Sequence, residues 1–250
     1  MDAVLVTGAS SGIGAALAHA YAGPDTALAL TGRDAARLEA VAARCRARGA
    51  AVETATLDVT ERGRIGKWMA AIDARTPLAV VIANAGISAG TGGGGETAEQ
   101  ARRILAVNVD GVLDTIHPAI DLMTPRGRGR IVIMSSLAAF RGFPGAPAYC
   151  ASKAAVRVLG EALRTDLARA GIAVSVVCPG YVESPMTAVN RFPMPFLMSA
   201  ERAAAIIRRG VDRGRARIAF PLPMYLAVRL LAGLPPAWID PLLGRLPRKG

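Results

Sequence analysis

Tyr149 and Lys153 stand four residues apart in the segment YCASK, and Ser135 and Ser136 close an apolar run shortly before them. Residues four apart share one face of a helix, so the spacing predicts the Lys153 ammonium near the Tyr149 ring. A phenol with a pKa near ~10 is ionised in only about one molecule in a thousand at neutral pH, and a neighbouring cation raises that fraction. The chemistry suggested is proton transfer to or from an oxygen, with a serine hydroxyl at hand to polarise it.

A second set of residues prepares a place for an anion. The stretch TGASSGIG follows the first apolar run, so that Gly8, Gly12 and Gly14 sit where a strand must turn sharply into a helix. Without a Cβ the backbone can take unusual torsions and approach a pyrophosphate, whose charge then meets the N–H groups and positive end of the new helix. An ordinary strand-to-helix turn is the competing reading, and the position after the first strand argues against it. Gly32 and Arg33 follow the second apolar run, about twenty residues beyond the glycines, where a dinucleotide fold reads the adenosine ribose. A guanidinium there matches a 2′-phosphate, whereas a carboxylate would accept from a free 2′-hydroxyl, so Arg33 points to NADP(H). Asp34 is the counter-argument that keeps NAD(H) open; it reads as the N-cap of the following helix.

These groups need a frame, and the chain supplies one. Short apolar runs alternate with longer amphipathic ones, the pattern of a parallel sheet covered by helices on both faces. The runs are Ala3–Thr7, Ala27–Thr31, Val52–Leu57, Leu78–Ala83, Arg130–Ser135, Ile172–Val177 and Arg217–Phe220. The expected fold is an α/β, Rossmann-like, doubly wound and mostly parallel seven-stranded sheet, with Asp34 and Gly49 bounding its second helix. A single domain over residues 1–250 is expected, because the chain is 52% hydrophobic and no linker separates two compositions. Gly90 to Gly95 reads as a flexible surface turn.

The TGASSGIG turn, NAG at Asn84 to Gly86, VNVDG around Asn108, YCASK and PGYVES together resemble the short-chain dehydrogenase/reductase family over residues 3 to about 186. The resemblance implies hydride transfer between a nicotinamide and a carbonyl or secondary-alcohol carbon. Tyr149 would exchange the substrate oxygen's proton, Lys153 would lower its pKa and bind the nicotinamide ribose, and Asn108 would hold a water linking Lys153 to solvent. Ser136, at the family's usual distance before Tyr149, would polarise the carbonyl, with Ser135 in support. The resemblance further places Gly8, Ser10, Ser11, Gly12, Ile13 and Gly14 on the phosphates, Asp58 and Val59 at the adenine, and Asn84, Ala85 and Gly86 beside the cofactor. Pro179, Gly180, Val182 and Ser184 would clamp the carboxamide, although a threonine is usual where Ser184 stands. It also suggests a homodimer through the helices carrying Asn108 and Tyr149.

Substrate choice is expected in the segment 184–215, where Met186, Phe192, Met194, Phe196, Leu197 and Met198 are interrupted by prolines. They suit a lid over a hydrophobic pocket, with Met186 and Phe192 as substrate contacts, or else simple core packing. The tail 221–250 departs from the family's common ending. It either packs over the pocket or a dimer partner, or rests its Leu/Trp face and basic ends on an anionic membrane.

Composition narrows the alternatives. The net charge of +11 admits an anionic partner, but the arginines form no stripe with interleaved aromatics and only 4% of residues are aromatic, so nucleic acid is not expected. Cys45, Cys150 and Cys178 are scattered and in no metal-ligand spacing, and the start of the chain shows no leader, so a cytoplasmic protein is expected, possible contact with the inner face of a membrane aside. His19 and His117 have no ligand partners at helical spacing and read as structural. A non-catalytic nucleotide-binding protein would not need Ser136, Tyr149 and Lys153 together, and sugar-nucleotide epimerases usually have a longer C-terminal domain and another glycine spacing.

Overall fold

The computed structural model describes residues 2–88, 95–190 and 192–244. Most of the Gly90 to Gly95 turn therefore lies outside the described residues. Seven strands form one sheet, β1 (Asp2–Thr7), β2 (Thr26–Gly32), β3 (Ala51–Thr56), β4 (Leu78–Ala83), β5 (Gly129–Met134), β6 (Ile172–Pro179) and β7 (Arg217–Phe220), in the order β3-β2-β1-β4-β5-β6-β7. Every adjacent pair is parallel, in keeping with the doubly wound expectation. The expected strand bounds shift by a residue or two; β6 runs on to Pro179 because Cys178 and Pro179 pair with Ala219 and Phe220.

The alternation of side chains along each strand divides the core into two layers. Val4 and Val6 face α1 (Gly12–Tyr21), α2 (Ala35–Arg46) and a later helix over Ala200–Asp212, while Ala3 and Leu5 face the opposite set. That opposite set is α3 (Arg64–Asp73), α5 (Gly111–Met123) and α6 (Pro147–Ala168), with α4 (Ala98–Leu105) set against α6. Central strands are thus buried on both sides, which is why they read as continuous apolar runs rather than alternating ones. The edge strand β3 shows the alternation, with its outward positions exposed.

Helix ends follow local chemistry. The Asp34 carboxylate caps α2 by accepting from the Arg37 N–H, and Thr97 with Gln100 forms a capping box on α4. Helix α2 stops at Arg46, short of Gly49, which takes φ +87° and sends its N–H to the Arg46 carbonyl. After β6 come a short α7 (Pro185–Ala188), α8 (Ala200–Asp212), and, beyond β7, α9 (Leu222–Gly233) and α10 (Pro236–Leu243). Strand order reverses between β1 and β4, and at such a switch point the carboxyl ends of the strands splay apart and leave a crevice.

Candidate active site

A cleft of about 890 Å³ opens at that switch point. Its floor at one end is the glycine turn. Gly8 and Gly12 have φ of +66° and +52°, and a Cβ on Gly14 would run into the Gly8 carbonyl and lie 2.6 Å from Asn84 Nδ2. The turn is therefore wound as tightly as glycine alone permits. Asn84 holds it to the sheet, donating to the carbonyls of Thr7 at 2.9 Å and Gly8 at 3.3 Å. Helix α1 starts here, and Ser11 at its N-cap makes no side-chain cap bond, nor is there an acidic residue in the first turn. Asp34, Thr97, Ser184 and Ser199 cap other helices, whereas α1 presents an uncapped N-terminus to the cleft with its N–H groups and positive dipole end available.

The far wall of this end carries two arginines. Arg33 and Arg37 both line the cleft. The Asp34 carboxylate accepts from the Arg37 backbone N–H at 2.9 Å and from its Nε at 2.7 Å, bonds that hold the acid below its ordinary pKa. Asp34 is thus committed to its own helix and to Arg37. Opposite, burial would raise the Asp58 carboxyl, but the Thr60 N–H and hydroxyl, together with the Arg33 and Arg103 charges, bring it below its ordinary value.

At the other end the reactive groups converge from three elements. Ser136 follows β5, Tyr149 and Lys153 stand on the first turns of α6, and Asn108 lies in a π-helical turn, Ala106–Asp110, between α4 and α5. The Ser136 hydroxyl faces the Tyr149 phenol and lowers its pKa, against a larger rise from burial, while the Ser136 oxygen accepts from the Ala138 N–H at 3.1 Å. Lys153 Nζ lies 5.9 Å from the Tyr149 ring centroid and donates to the Met134 carbonyl at 2.9 Å. Its ammonium is buried, and desolvation brings its pKa down from 10.5 to about 8. The two serines are separated by their partners: Ser135 donates to the Lys153 carbonyl at 2.8 Å and anchors α6, which leaves Ser136 as the one that meets the phenol.

The π-helical turn is what lets Asn108 reach inward, since its extra residue swings the side chain off the helix face. The buried Asn108 amide accepts from the Ile87 N–H at 2.8 Å and donates to the Ile87 carbonyl at 2.9 Å and to Ser152 Oγ at 3.0 Å. Gly86 sits between it and Lys153: a Cβ there would lie 3.2 Å from both Asn108 Oδ1 and Lys153 Nζ.

The cleft is lined by all the residues expected at the cofactor, from Gly8, Ser10, Ser11, Gly12, Ile13 and Gly14 through Arg33, Asp58, Val59, Asn84, Ala85 and Gly86 to Pro179, Gly180, Val182 and Ser184. The Ser184 hydroxyl is also engaged in capping α7, where it meets Thr187 Oγ1 at 3.1 Å. Met186 lines the cleft; Phe192 does not, and packs edge-on against Tyr181 at 6.0 Å, a second phenol whose proximity raises that of Tyr149. The rest of the apolar segment disperses: Met198 is buried against α8, while Phe196 and Leu197 are exposed. Helix α8 packs on α1 through Ala203, Ala204 and Ile207, on the sheet side rather than over the cleft.

Sequence reasoning missed Arg37 and Glu96. Arg37 had a signal, four residues after Arg33 at the start of one helix. Glu96 had none, because its partner is 52 residues away: its carboxylate accepts from the Ala148 N–H at 2.9 Å and so caps the helix that bears Tyr149 and Lys153. Glu96→Ala is expected to lower stability by about 1 kcal/mol and to reduce kcat several-fold at unchanged nucleotide affinity. Glu96→Gln, which keeps an acceptor, restores most of both; urea midpoints and steady-state rates measure the pair.

Comparison with known proteins agrees with this arrangement. The family model described as short chain dehydrogenase matches residues 2–193. An uncharacterised oxidoreductase of Myxococcus xanthus is 39% identical over 243 residues, covering 97% of this chain and 96% of its own. One of Mycobacterium tuberculosis is 37% identical over 238 residues, covering 93% and 94%. Among solved structures, a short-chain dehydrogenase from Sphingobium yanoikuyae in complex with NADPH superposes with a TM-score of 0.83 at 28% identity, covering 99% of this chain and 97% of the other. With its strand order, its glycine turn and the match over most of its length, the chain belongs to the short-chain dehydrogenase/reductase family and is an oxidoreductase with an NAD(P)-binding Rossmann fold.

Proposed function

We propose that the protein is an NADP(H)-dependent oxidoreductase acting on the carbonyl or secondary-alcohol carbon of an apolar small molecule, with Asn108, Ser136, Tyr149 and Lys153 as its working set. The observation that carries this reading is Ser136, Tyr149 and Lys153 brought together, with Lys153 Nζ 5.9 Å from the Tyr149 ring centroid, in one cleft with an uncapped helix N-terminus.

A dinucleotide fits these residues. The glycine turn leaves room for a pyrophosphate, and the free first-turn N–H groups of α1 suit its charge. Arg33 and Arg37 together suit a 2′-phosphate, and with Asp34 occupied by Arg37 no free carboxylate stands at that point to favour a 2′-hydroxyl. Bound there, the nicotinamide supplies or takes the hydride. The protein's part is proton management. Ser136 orients the substrate oxygen toward the phenol, Tyr149 gives or takes the proton at that oxygen, and the Lys153 ammonium stabilises the phenolate this leaves. Asn108, fixed by Ile87 and Ser152 beside Lys153, holds the polar end of a path by which Lys153 is reprotonated.

Met186 and Ile87 on the cleft wall, with Val107 behind, favour an apolar substrate. Exposed Leu105 and Val158, on α4 and α6, suit a homodimer through those helices, and three free buried cysteines suit a reducing cytoplasm.

The test is consumption of NADPH and NADH with ketones of increasing apolar bulk. NADPH turnover that improves with bulk is expected; failure of both nucleotides with every ketone and aldehyde tried would overturn the reading. Substituting both Arg33 and Arg37 by Ala should weaken NADPH binding by about 10- to 100-fold, the worth of a charge-assisted hydrogen bond or two, and leave NADH binding within about twofold. Fluorescence titration with each nucleotide measures this directly, and equal loss for both would remove the 2′-phosphate assignment.

A further inference from the structure

We propose that the outer face of α9 and α10 docks on an anionic lipid surface. Leu222, Leu226 and Leu230 recur every fourth residue along α9, one stripe, and are 61%, 57% and 68% exposed. Trp238 on α10 is 73% exposed. The opposite side of α9 already satisfies the fold: Val228 is buried, and Met224 and Tyr225 pack with it against Leu137, Val176 and Cys178. The leucine stripe is therefore surplus to the core.

Charge identifies the occupant. Between residues 221 and 244 the sequence holds only Arg229 and Asp240 as charged side chains, and the body of the protein engages both. The Arg229 guanidinium lies 5.9 Å from the Phe140 ring centroid, and Asp240 pairs with Arg141 at 3.4 Å. The outward stripe thus meets hydrocarbon without burying a free charge, while the chain around it carries +11 and ends in a sequence containing Arg245, Arg248 and Lys249. The homodimer proposed above uses α4 and α6 and leaves this face open, and an anionic bilayer attracts a chain of +11. A leucine stripe, a tryptophan and flanking cations are the composition of a helix lying in the interface plane. Among the described residues no helix is long and apolar enough to cross a membrane.

The surface also adjoins the chemistry. A Cβ on Gly180, a cleft residue, would lie 2.9 Å from Met224 Sδ and 3.0 Å from Pro221 Cδ, so α9 rests against the catalytic end of the cleft. Docking sets that end beside lipid, where apolar molecules concentrate. The docking itself does not depend on the oxidoreductase reading, because binding alone reports it.

The full chain with Trp68→Phe leaves Trp238 as the only tryptophan of the two. It is mixed with phosphatidylglycerol vesicles and, separately, with phosphatidylcholine vesicles, and both flotation and Trp238 emission are recorded. Expected are flotation with phosphatidylglycerol, a blue shift of Trp238, binding to phosphatidylcholine weaker by about tenfold or more, and a similar loss in the Leu226→Asp, Leu230→Asp double variant. The variant's circular dichroism and NADPH binding should match the parent, showing that the fold is intact. No partition into phosphatidylglycerol, equal binding to both lipids, or unchanged binding by the double variant would overturn the proposal. A lower oligomeric mass of the double variant in lipid-free buffer would assign the face to a second copy and overturn it as well.

Discussion

Replacing Tyr149 by Phe is expected to lower turnover by about a thousandfold while nucleotide affinity stays within about threefold. The change removes one oxygen from a ring that keeps its place on α6, so the cleft, the glycine turn and Lys153 remain. In the proposed mechanism, what disappears is the proton exchanged with the substrate oxygen. Stopped-flow measurement of NADPH consumption separates the two quantities, and retained turnover would show that another group handles the proton. The pH dependence carries the same signature. Burial raises the Tyr149 phenol above its ordinary value, so in the reduction direction the proton donor stays loaded through neutral pH and the rate falls only on the alkaline side. Alcohol oxidation needs the phenolate and rises with pH over the same range. Ser136→Ala, which takes away the hydroxyl that favours the phenolate, should move the oxidation midpoint to higher pH.

The second large effect runs in two directions at once: Lys153→Met is expected to abolish useful turnover and to make the protein more stable at neutral pH. The folded chain buries this ammonium, so its pKa falls to about 8 from 10.5. Between those two values the unfolded chain binds a proton that the folded chain does not, and folding stability therefore rises with pH across that window. Below about pH 8 both states are protonated and the full burial penalty is present. Methionine has no charge to desolvate. After allowance for the lost bond to the Met134 carbonyl, the variant should gain about 1–3 kcal/mol at pH 7, a gain that shrinks through the window and is gone once the wild-type amine is neutral in both states. Urea denaturation at several pH values, paired with turnover assays, checks both halves. A variant no more stable than wild type at pH 7 would show that the Lys153 ammonium is better compensated than its surroundings indicate. In the proposed mechanism, the energetic strain of the desolvated Lys153 cation is the cost of placing a positive charge where the phenolate would form.

The strands and the reactive residue types were legible because both are local properties. An apolar run of six residues between amphipathic stretches has few ways to be buried other than as a central parallel strand, and all seven expected runs became strands. Glycines at the end of the first run, and a Tyr and Lys one helical turn apart, announce themselves through spacing alone. The expectation that Asn108 works beside Lys153 came from resemblance, and the π-helical turn and the contacts to Ile87 and Ser152 that fix its amide became visible only in the structure.

What the sequence by itself determined was the alternation of strand and helix and the identity of the groups gathered at the strand ends, since periodicity and turn chemistry act over a few residues. Tertiary structure alone decided which serine faces the phenol, which carboxylate caps the helix bearing Tyr149 and Lys153, and that Phe192 turns to Tyr181 instead of the cleft. Each of these depends on a contact whose partners are chosen by how helices pack on a twisted sheet, and no local pattern encodes a partner fifty residues away.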